Sequence, residues 1–358
     1  MEQRLTNGIV SVVIVTWNSA PFLRRCLAAL ASQTYPELDV IHIDNASADD
    51  SLAVVRECAP HARQIVNDSN RGFSAAVNQG VGVARGEFVL LLNPDAFLDA
   101  DYVSTLVQAL KDEGAKAGMA TGKLLQAETK LVDSKGIRMT RSGRHFDIDQ
   151  GSRESGVGSR KSEVGAVISD PRPPTPDSDG DVTTAGPRDC ETTLPRYQEI
   201  FGVSGAAAMY SMTFIRDVTV GGEFLDEDFF TFREDADVAW RGRLFGWRAL
   251  YVPAAVGDHV RTVTPAKRRG LSAVTNMHGV KNRFLLRLKN EGLYLALRNA
   301  PFELTRDLIA IVATLTVERS SLPALTWLWK NRQRIMEKRR AIQSRRRVSD
   351  RQLAGWFR

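Results

Sequence analysis

Three cysteines in 358 residues are too few for a disulfide framework. Cys26, Cys58 and Cys190 are odd in number and show no C-x-x-C spacing, so a zinc site is not indicated either. That usage suits a reducing cytoplasm. Long apolar runs are also missing: the longest late one, Leu308–Val317, is bounded by Asp307 and Glu318 and falls well short of the ~20 residues that cross a bilayer. Polar residues 1–8 precede a strand-like apolar run, Ile9–Val15, with no small-residue cleavage site after it, so no secretory signal is expected. An excess of positive charge is absent outside the end of the chain. Residues 330–358 hold 11 Lys/Arg against 2 Asp/Glu, a balance of +9 in a chain whose net charge is +6, so the rest sums to −3. The basic character belongs to the tail, which has no recognised nucleic-acid module, and nucleic-acid binding is not expected.

What is present is a foldable composition, 43% hydrophobic and 25% charged, on a chain long enough for a large core. The first 120 residues repeat a short apolar, β-branched run followed by a helical pattern: Val10–Val15 then Pro21–Ala31, Val40–Asp44 then Ala48–Cys58, Gln64–Asn67 then Phe73–Ala84, and Phe88–Leu92 then Asp101–Lys111. Runs apolar throughout suit strands buried on both faces, and the intervening helices make a doubly wound, mostly parallel α/β sheet the economical topology. Pro21 suits the first turn of its helix and Ser19 is placed to cap it. Residues 151–189 contain 6 Gly, 5 Pro and 6 Ser with no aromatic, which reads as a flexible insertion. Ser211–Val218, Asn276–Leu288 and Pro301–Lys330 read as helical, the last with a break expected at Pro323.

In such sheets ligands bind beyond the carboxyl ends of the strands. Those ends carry Thr16-Trp17-Asn18, Asp44-Asn45, Asn70-Arg71-Gly72 and Asn93-Pro94-Asp95. Asn, Asp and Gly are also ordinary turn formers, but four consecutive strand ends with hydrogen-bonding side chains favour a ligand edge. Asp95 would stand at the tip of a buried strand, where a divalent ion can bridge a carboxylate to phosphate. A second cluster, Phe224 to Arg241, packs carboxylates among aromatics and opens a helix. Glu234, Asp235 and Asp237 suit the positive end of its dipole, and Asp235 is equally placed to act as a general base.

Taken in order, Val12–Asn18, Ile43–Ser47, Asn70–Phe73, Leu90–Ala96 and Glu234–Asp237 with Trp240-Arg241 resemble the family 2 glycosyltransferases, in particular the rhamnosyltransferase-like branch that builds bacterial cell-surface polysaccharides. The resemblance covers about residues 9–290, interrupted by the insertion. It implies a GT-A fold, an inverting mechanism, a nucleotide-diphosphate sugar donor and a divalent metal, Mg²⁺ or Mn²⁺. It places Thr16, Asn18 and Asp44 at the base and ribose, and Asn70, Gly72 and Asn78 over the nucleotide. Asp95 matches the last carboxylate of D-x-D, with Asn93 in place of the first. Asp235 matches the catalytic base with Glu234 beside it, and His259 matches a histidine that completes the metal shell. Trp240 fits either the core or an acceptor platform.

The resulting expectation is a nucleotide-sugar-binding half (1–122), an acceptor and catalytic half (123–270) and C-terminal helices (271–358). Aromatics beside the basic stretch Lys330–Arg347 suit an anionic membrane surface, with packing on the body as the alternative. A polyprenyl-diphosphate-linked saccharide acceptor, reached by a cytoplasmic protein peripheral at the inner face of the membrane, fits both readings. The competing reading is a catalytically inactive sugar-nucleotide-binding or scaffold protein of the same pathway. A nucleotidyltransferase would want a Gly-rich basic loop after the first strand, which Thr16–Pro21 does not provide.

Overall fold

A computed structural model of the chain describes residues 6–153, 196–261 and 273–358. Most of the 151–189 insertion lies outside the described residues. The amino-terminal part runs β1 (Thr6–Thr16), α1 (Ala20–Ala31), β2 (Leu38–Asp44), α2 (Ser51–Cys58), β3 (Arg63–Val66), α3 (Phe73–Val83), β4 (Gly86–Leu92), β5 (Ala96–Leu98) and α4 (Tyr102–Asp112). Next come β6 (Ala117–Gln126), β7 (Val132–Ser134), a hairpin of β8 (Ile137–Met139) and β9 (His145–Asp147), β10 (Gln198–Ile200), β11 (Ala207–Ser211) and α5 (Met212–Val218). The chain closes with α6 (Glu234–Leu244), β12 (Arg248–His259), α7 (Ala273–Asn290), α8 (Leu293–Thr316), α9 (Leu322–Lys330), α10 (Arg332–Ser344) and α11 (Asp350–Leu353).

One continuous sheet orders its strands β10-β12-β6-β11-β4-β1-β2-β3, with β5 on β12 and β7 on β6. Strands β4, β1, β2 and β3 are parallel, as is β12 beside β6, while β11 runs antiparallel between β4 and β6. Residue 122 falls inside β6, so the two expected halves share one sheet. The strands alternate as a doubly wound sheet requires. Val10, Val12 and Ile14 of β1 and Leu90 of β4 face α1, α2 and α4, whereas Val13 and Leu91 face the core shared with α3, α5 and α6.

Three local expectations are corrected. Ser19 occupies the N-cap position of α1 but makes no capping bond; its hydroxyl accepts from Trp17 N, and the carboxylate of Asp49 caps Ala20 N at 3.0 Å instead. Pro301 does not start a helix but lies within α8. The break comes at 317–321, and Pro323 sits in the first turn of α9, where its missing N–H costs nothing.

The basic tail packs on the body. Lys338 bridges Asp226 and Glu223, Arg334 pairs with Asp228, and Arg347 with Asp217. These side chains neutralise the acidic body and are therefore not a free cationic surface; Lys330, Arg332 and Arg340 stay exposed.

Candidate functional site

The polar residues at the carboxyl ends of β1, β2 and β4 gather at one sheet edge, and each is held by its neighbours. The Thr16 hydroxyl donates to Asp44 Oδ1 at 3.0 Å and lies 2.8 Å from His42 Nε2. Burial pushes the His42 pKa down to about 4 despite the Asp44 charge, so its imidazole is neutral at pH 7. With the Thr16 proton given to Asp44, the tautomer assigned to His42 carries its proton on Nε2 and donates to Thr16. Ser47 N donates to the other Asp44 oxygen at 3.0 Å. Thr16 is fully buried, so it orients Asp44 rather than presenting a ligand contact. Asn18 is exposed, in a left-handed conformation (φ 52°), with its Oδ1 accepting from Ala48 N. Trp17 between them is 59% exposed, a bare indole at the tip of β1.

The loop from Asn67 to Gly72 is organised by Asn45, one of the strand-end residues, to which the sequence assigned no role of its own. Buried Asn45 donates to Asn70 Oδ1 (2.9 Å) and the Gly72 carbonyl (3.2 Å), and accepts from Arg71 N and Asn67 Nδ2. Gly72 has φ +84° and ψ 162°, a region open essentially to glycine alone, and a Cβ there would meet the Phe230 ring at 2.5 Å. The Phe230 carbonyl in turn accepts from Phe73 N at 2.6 Å, closing the first turn of α3. Asn78 does not reach over this loop: its amide exchanges two hydrogen bonds with the Leu225 backbone and donates to Glu227. It ties α3 to the acidic loop.

The acidic loop is strained and clamped. Phe230, Phe232 and Arg233 all have left-handed φ, between 65° and 72°. From α7, the single amide of Asn282 donates to the carbonyls of Phe229, Thr231 and Phe232, and His278 stacks on Phe230 at 4.7 Å. Beneath it, fully buried Asp237 accepts from Arg241 Nε (2.9 Å), Lys289 Nζ (3.0 Å) and Asn290 Nδ2 (2.7 Å). Trp240 and Arg241 are 0% and 1% exposed, which makes both core residues and not an acceptor platform.

At the helix start, Glu234 and half-buried Asp235 line a narrow cleft with Phe73, Leu91, Gly205, Tyr210 and Leu225. Burial raises the Asp235 carboxyl above its usual range, against the pull of the Ala236 and Gly205 backbones and of Arg233. Burial, with the charges of Asp235 and Asp237, pushes Glu234 up to about 8. Glu234 is therefore protonated near neutrality. The cleft joins the strand edge through β11: Asn93 N donates to the Ala206 carbonyl at 2.9 Å, and the adjacent Gly205 lies against the Asp235 side chain.

Antiparallel pairing of β5 with β12 sets Ala96 opposite His259, which brings His259 Nε2 to 3.3 Å from Asp95 Oδ1. The other ring nitrogen is held by fully buried Asp133 at 2.8 Å, and Arg261 also pairs with Asp133. Burial opposes the imidazolium, but hydrogen bonds and charge from Asp133 and Asp95 outweigh it and hold the His259 pKa at about 9. A carboxylate and an imidazole nitrogen facing each other, with the far nitrogen fixed by a second carboxylate, fit a divalent ion. No cluster of three such ligands occurs among the described residues, so the remaining positions would fall to phosphate oxygens and water.

Residues 11–132 match the model of glycosyl transferase family 2. Over 114 residues the chain is 33% identical to an uncharacterized glycosyltransferase, YibD, of Escherichia coli K12, covering 29% of this chain and 31% of that protein. Over 144 residues it is 29% identical to a PGL/p-HBAD biosynthesis glycosyltransferase of Mycobacterium bovis, covering 39% and 52%. Over 131 residues it is 29% identical to the succinoglycan biosynthesis protein ExoO of Rhizobium meliloti, covering 36% of each. The matched stretch is thus less than two thirds of any of these proteins. Among solved structures, GalNAc-T7 with UDP, GalNAc and Mn²⁺ superposes with a TM-score of 0.53 at 14% identity over 78% of this chain and 48% of that one. S. aureus TarS gives 0.50 at 14% identity over 94% and 55%. The fold is the GT-A fold with a helical C-terminal extension, and its amino-terminal third is similar in sequence to glycosyl transferase family 2.

Proposed function

We propose that the chain is an inverting glycosyltransferase that moves a sugar from a nucleotide-diphosphate donor to a hydroxyl of a saccharide acceptor in polysaccharide synthesis. The observation that carries this is the continuity of the two clusters: the strand edge ending in Asp95 and the cleft of Asp235 meet across the Asn93–Ala206 bond. On the donor side, Asp44 is held for the ribose, Asn18 and the Asn70–Gly72 loop border the nucleotide, and exposed Trp17 offers a stacking face for the base. Asn93 and Asp95 face the diphosphate. Asp95 and His259 would hold Mg²⁺ or Mn²⁺, whose chemistry there is neutralisation of the charge that the departing diphosphate acquires.

Asp235 takes the proton of the acceptor hydroxyl, and that oxygen attacks the anomeric carbon from the face opposite the diphosphate, inverting the configuration in one displacement. Glu234, protonated near neutrality, keeps a second negative charge out of the cleft. Rhamnose on thymidine diphosphate is the favoured donor and a uridine-diphosphate hexose the alternative. A lipid-linked saccharide, polyprenyl-diphosphate in type and met at the cytoplasmic face of the membrane, is the favoured acceptor. Retention of both Asp95 and Asp235 speaks against an inactive scaffold. The test is Asp235→Asn: donor binding by calorimetry is expected unchanged while transfer falls by roughly a hundredfold or more. Near-normal transfer by that variant would refute the assignment.

A further inference from the structure

Helix α8 is amphipathic in the inverted sense. Beyond Leu295, which is buried near its start, its inward face is polar: Asn299, Glu303 and Thr314 are buried, Arg287 of α7 bonds Glu303 at 2.8 Å, and Arg283 and Arg287 pair with Asp307. Its outward face is apolar, with Leu297, Leu304, Leu308, Ile309, Val312 and Leu315 between 48% and 69% exposed. These side chains recur at steps of one, three, four and seven residues, so they cover a stripe about half the helix circumference wide. The helix is 24 residues, or roughly 36 Å, long. A face of that extent, held outward by a buried ionic lattice on the other side, marks an interaction surface.

We infer that this face is seated in the interfacial layer of a lipid bilayer, with α8 lying in the membrane plane. Three observations choose the bilayer over a second copy of the chain or a protein partner. The stripe is wider than the two-position seam by which helices pair with one another. From Leu293 to Gln333 no Asp or Glu is exposed, whereas Arg319, Lys330 and Arg332 are, a charge pattern that complements anionic headgroups. At the rim, Trp329 is 69% exposed with the Arg332 guanidinium 4.6 Å over its ring, an arrangement suited to headgroup depth. Among the described residues no single helix is long and apolar enough to cross a membrane; α8 and the segment Arg319–Lys330 reach that length and apolarity only as a pair whose axes turn by 107°. Seating in the membrane plane is driven by apolar burial, with the tail's charges mostly committed to the body.

The inference deepens the proposed use of a lipid-linked acceptor, yet it is tested without the reaction. Full-length protein is sedimented with phosphatidylcholine vesicles with and without about 30% phosphatidylglycerol, in about 0.1 and 1 M NaCl. Binding to both vesicle types that persists in high salt is expected, because screening removes only the electrostatic share. Leu304→Asp with Leu308→Asp should weaken partition by at least about tenfold, a 1.4 kcal/mol change, with an unaltered circular-dichroism melt. Lys330→Glu with Arg332→Glu should weaken it by about thirtyfold or more on the anionic vesicles alone, in low salt. Three results would overturn the inference: no vesicle binding, full binding by the Leu304/Leu308 variant, or a salt-resistant dimer in solution that the same variant dissociates. Vesicle binding without nucleotide release from any donor would leave this inference standing and refute the proposed reaction.

Discussion

Substituting Gly72 by alanine probes the joint between the donor loop and the catalytic loop. The glycine sits at φ +84° and ψ 162°, where an L-residue costs about 1–3 kcal/mol. The new methyl would lie 2.5 Å from the Phe230 Cδ2 and 2.8 Å from the Phe230 carbonyl oxygen. The ring could turn only against His278, on which it is stacked, and the carbonyl is fixed by Phe73 N at 2.6 Å. Overpacking of this kind adds about 1–3 kcal/mol, so the total is about 2–6 kcal/mol. In a chain of this size that lowers Tm by roughly 3–8 °C. Relief requires the Phe230–Arg233 segment to move, and Asp235 follows directly after it. Gly72→Ala should therefore show a lower Tm and, below that Tm, a kcat reduced by about tenfold or more, because small misplacements of a base are costly. Thermal unfolding and acceptor-dependent transfer measure the two effects. A melting point within a degree of wild type, with unchanged kcat, would refute the close packing on which the site description rests.

Burial of Asp235 predicts an acidic limb in the pH profile of kcat above the usual carboxylate range, and Glu234→Gln, which keeps the neutral state that Glu234 holds below about 8, should leave that limb in place. Because the Glu234 pKa is raised from 4.5 to about 8 in the fold, its stabilising contribution is complete below pH 4.5 and is lost as pH rises through 8; Glu234→Gln should accordingly gain in Tm relative to wild type at pH 8–9 and not at pH 4. At the ion-holding pair, His259 held at about 9 stabilises the fold fully below pH 6.5 and loses this as pH passes 9, while metal competes with the same proton. Mn²⁺ affinity measured by calorimetry should rise from pH 6.5 to 8.5, and Asp133→Asn, which loosens the ring, should lower it about 10–100-fold. Asp237→Ala takes its carboxylate partner from buried Arg241 and leaves Lys289 paired with Asp226 alone, and should cost about 3–5 kcal/mol in chemical denaturation. A smaller loss would mean that water reaches the cluster.

Much of the amino-terminal half was legible because its signals are local. Strands β1 and β4 are apolar on both faces, and α1 has a proline in its first turn, so the sheet and the polar edge beyond its strand ends could be read directly. What failed was set by contacts far apart in the chain. Asp49 took the capping role that Ser19 was positioned for, and Asn78 found the Leu225 backbone 147 residues away. Thr16 and Asp44 both lie at strand ends, but only the neutral His42 behind them shows that Thr16 is a support. Asp133 carried no motif, and its pairing with His259 depends on where β7 and β12 lie beside β6. The helical end misled for a different reason. Its apolar residues face outward in α8, and Pro301 is accommodated within a helix anchored by Glu303 and Asp307.

The most direct test of the account is release of nucleotide diphosphate by the purified full-length chain, measured across thymidine, uridine and guanosine sugar donors with a lipid-linked acceptor extract, with and without Mg²⁺ or Mn²⁺. Metal-dependent release from one donor, lost in Asp235→Asn and retained in Leu304→Asp when a soluble acceptor is supplied, is the predicted result. Equal release by wild type and Asp235→Asn, or tight donor binding with no turnover under any of these conditions, would contradict it.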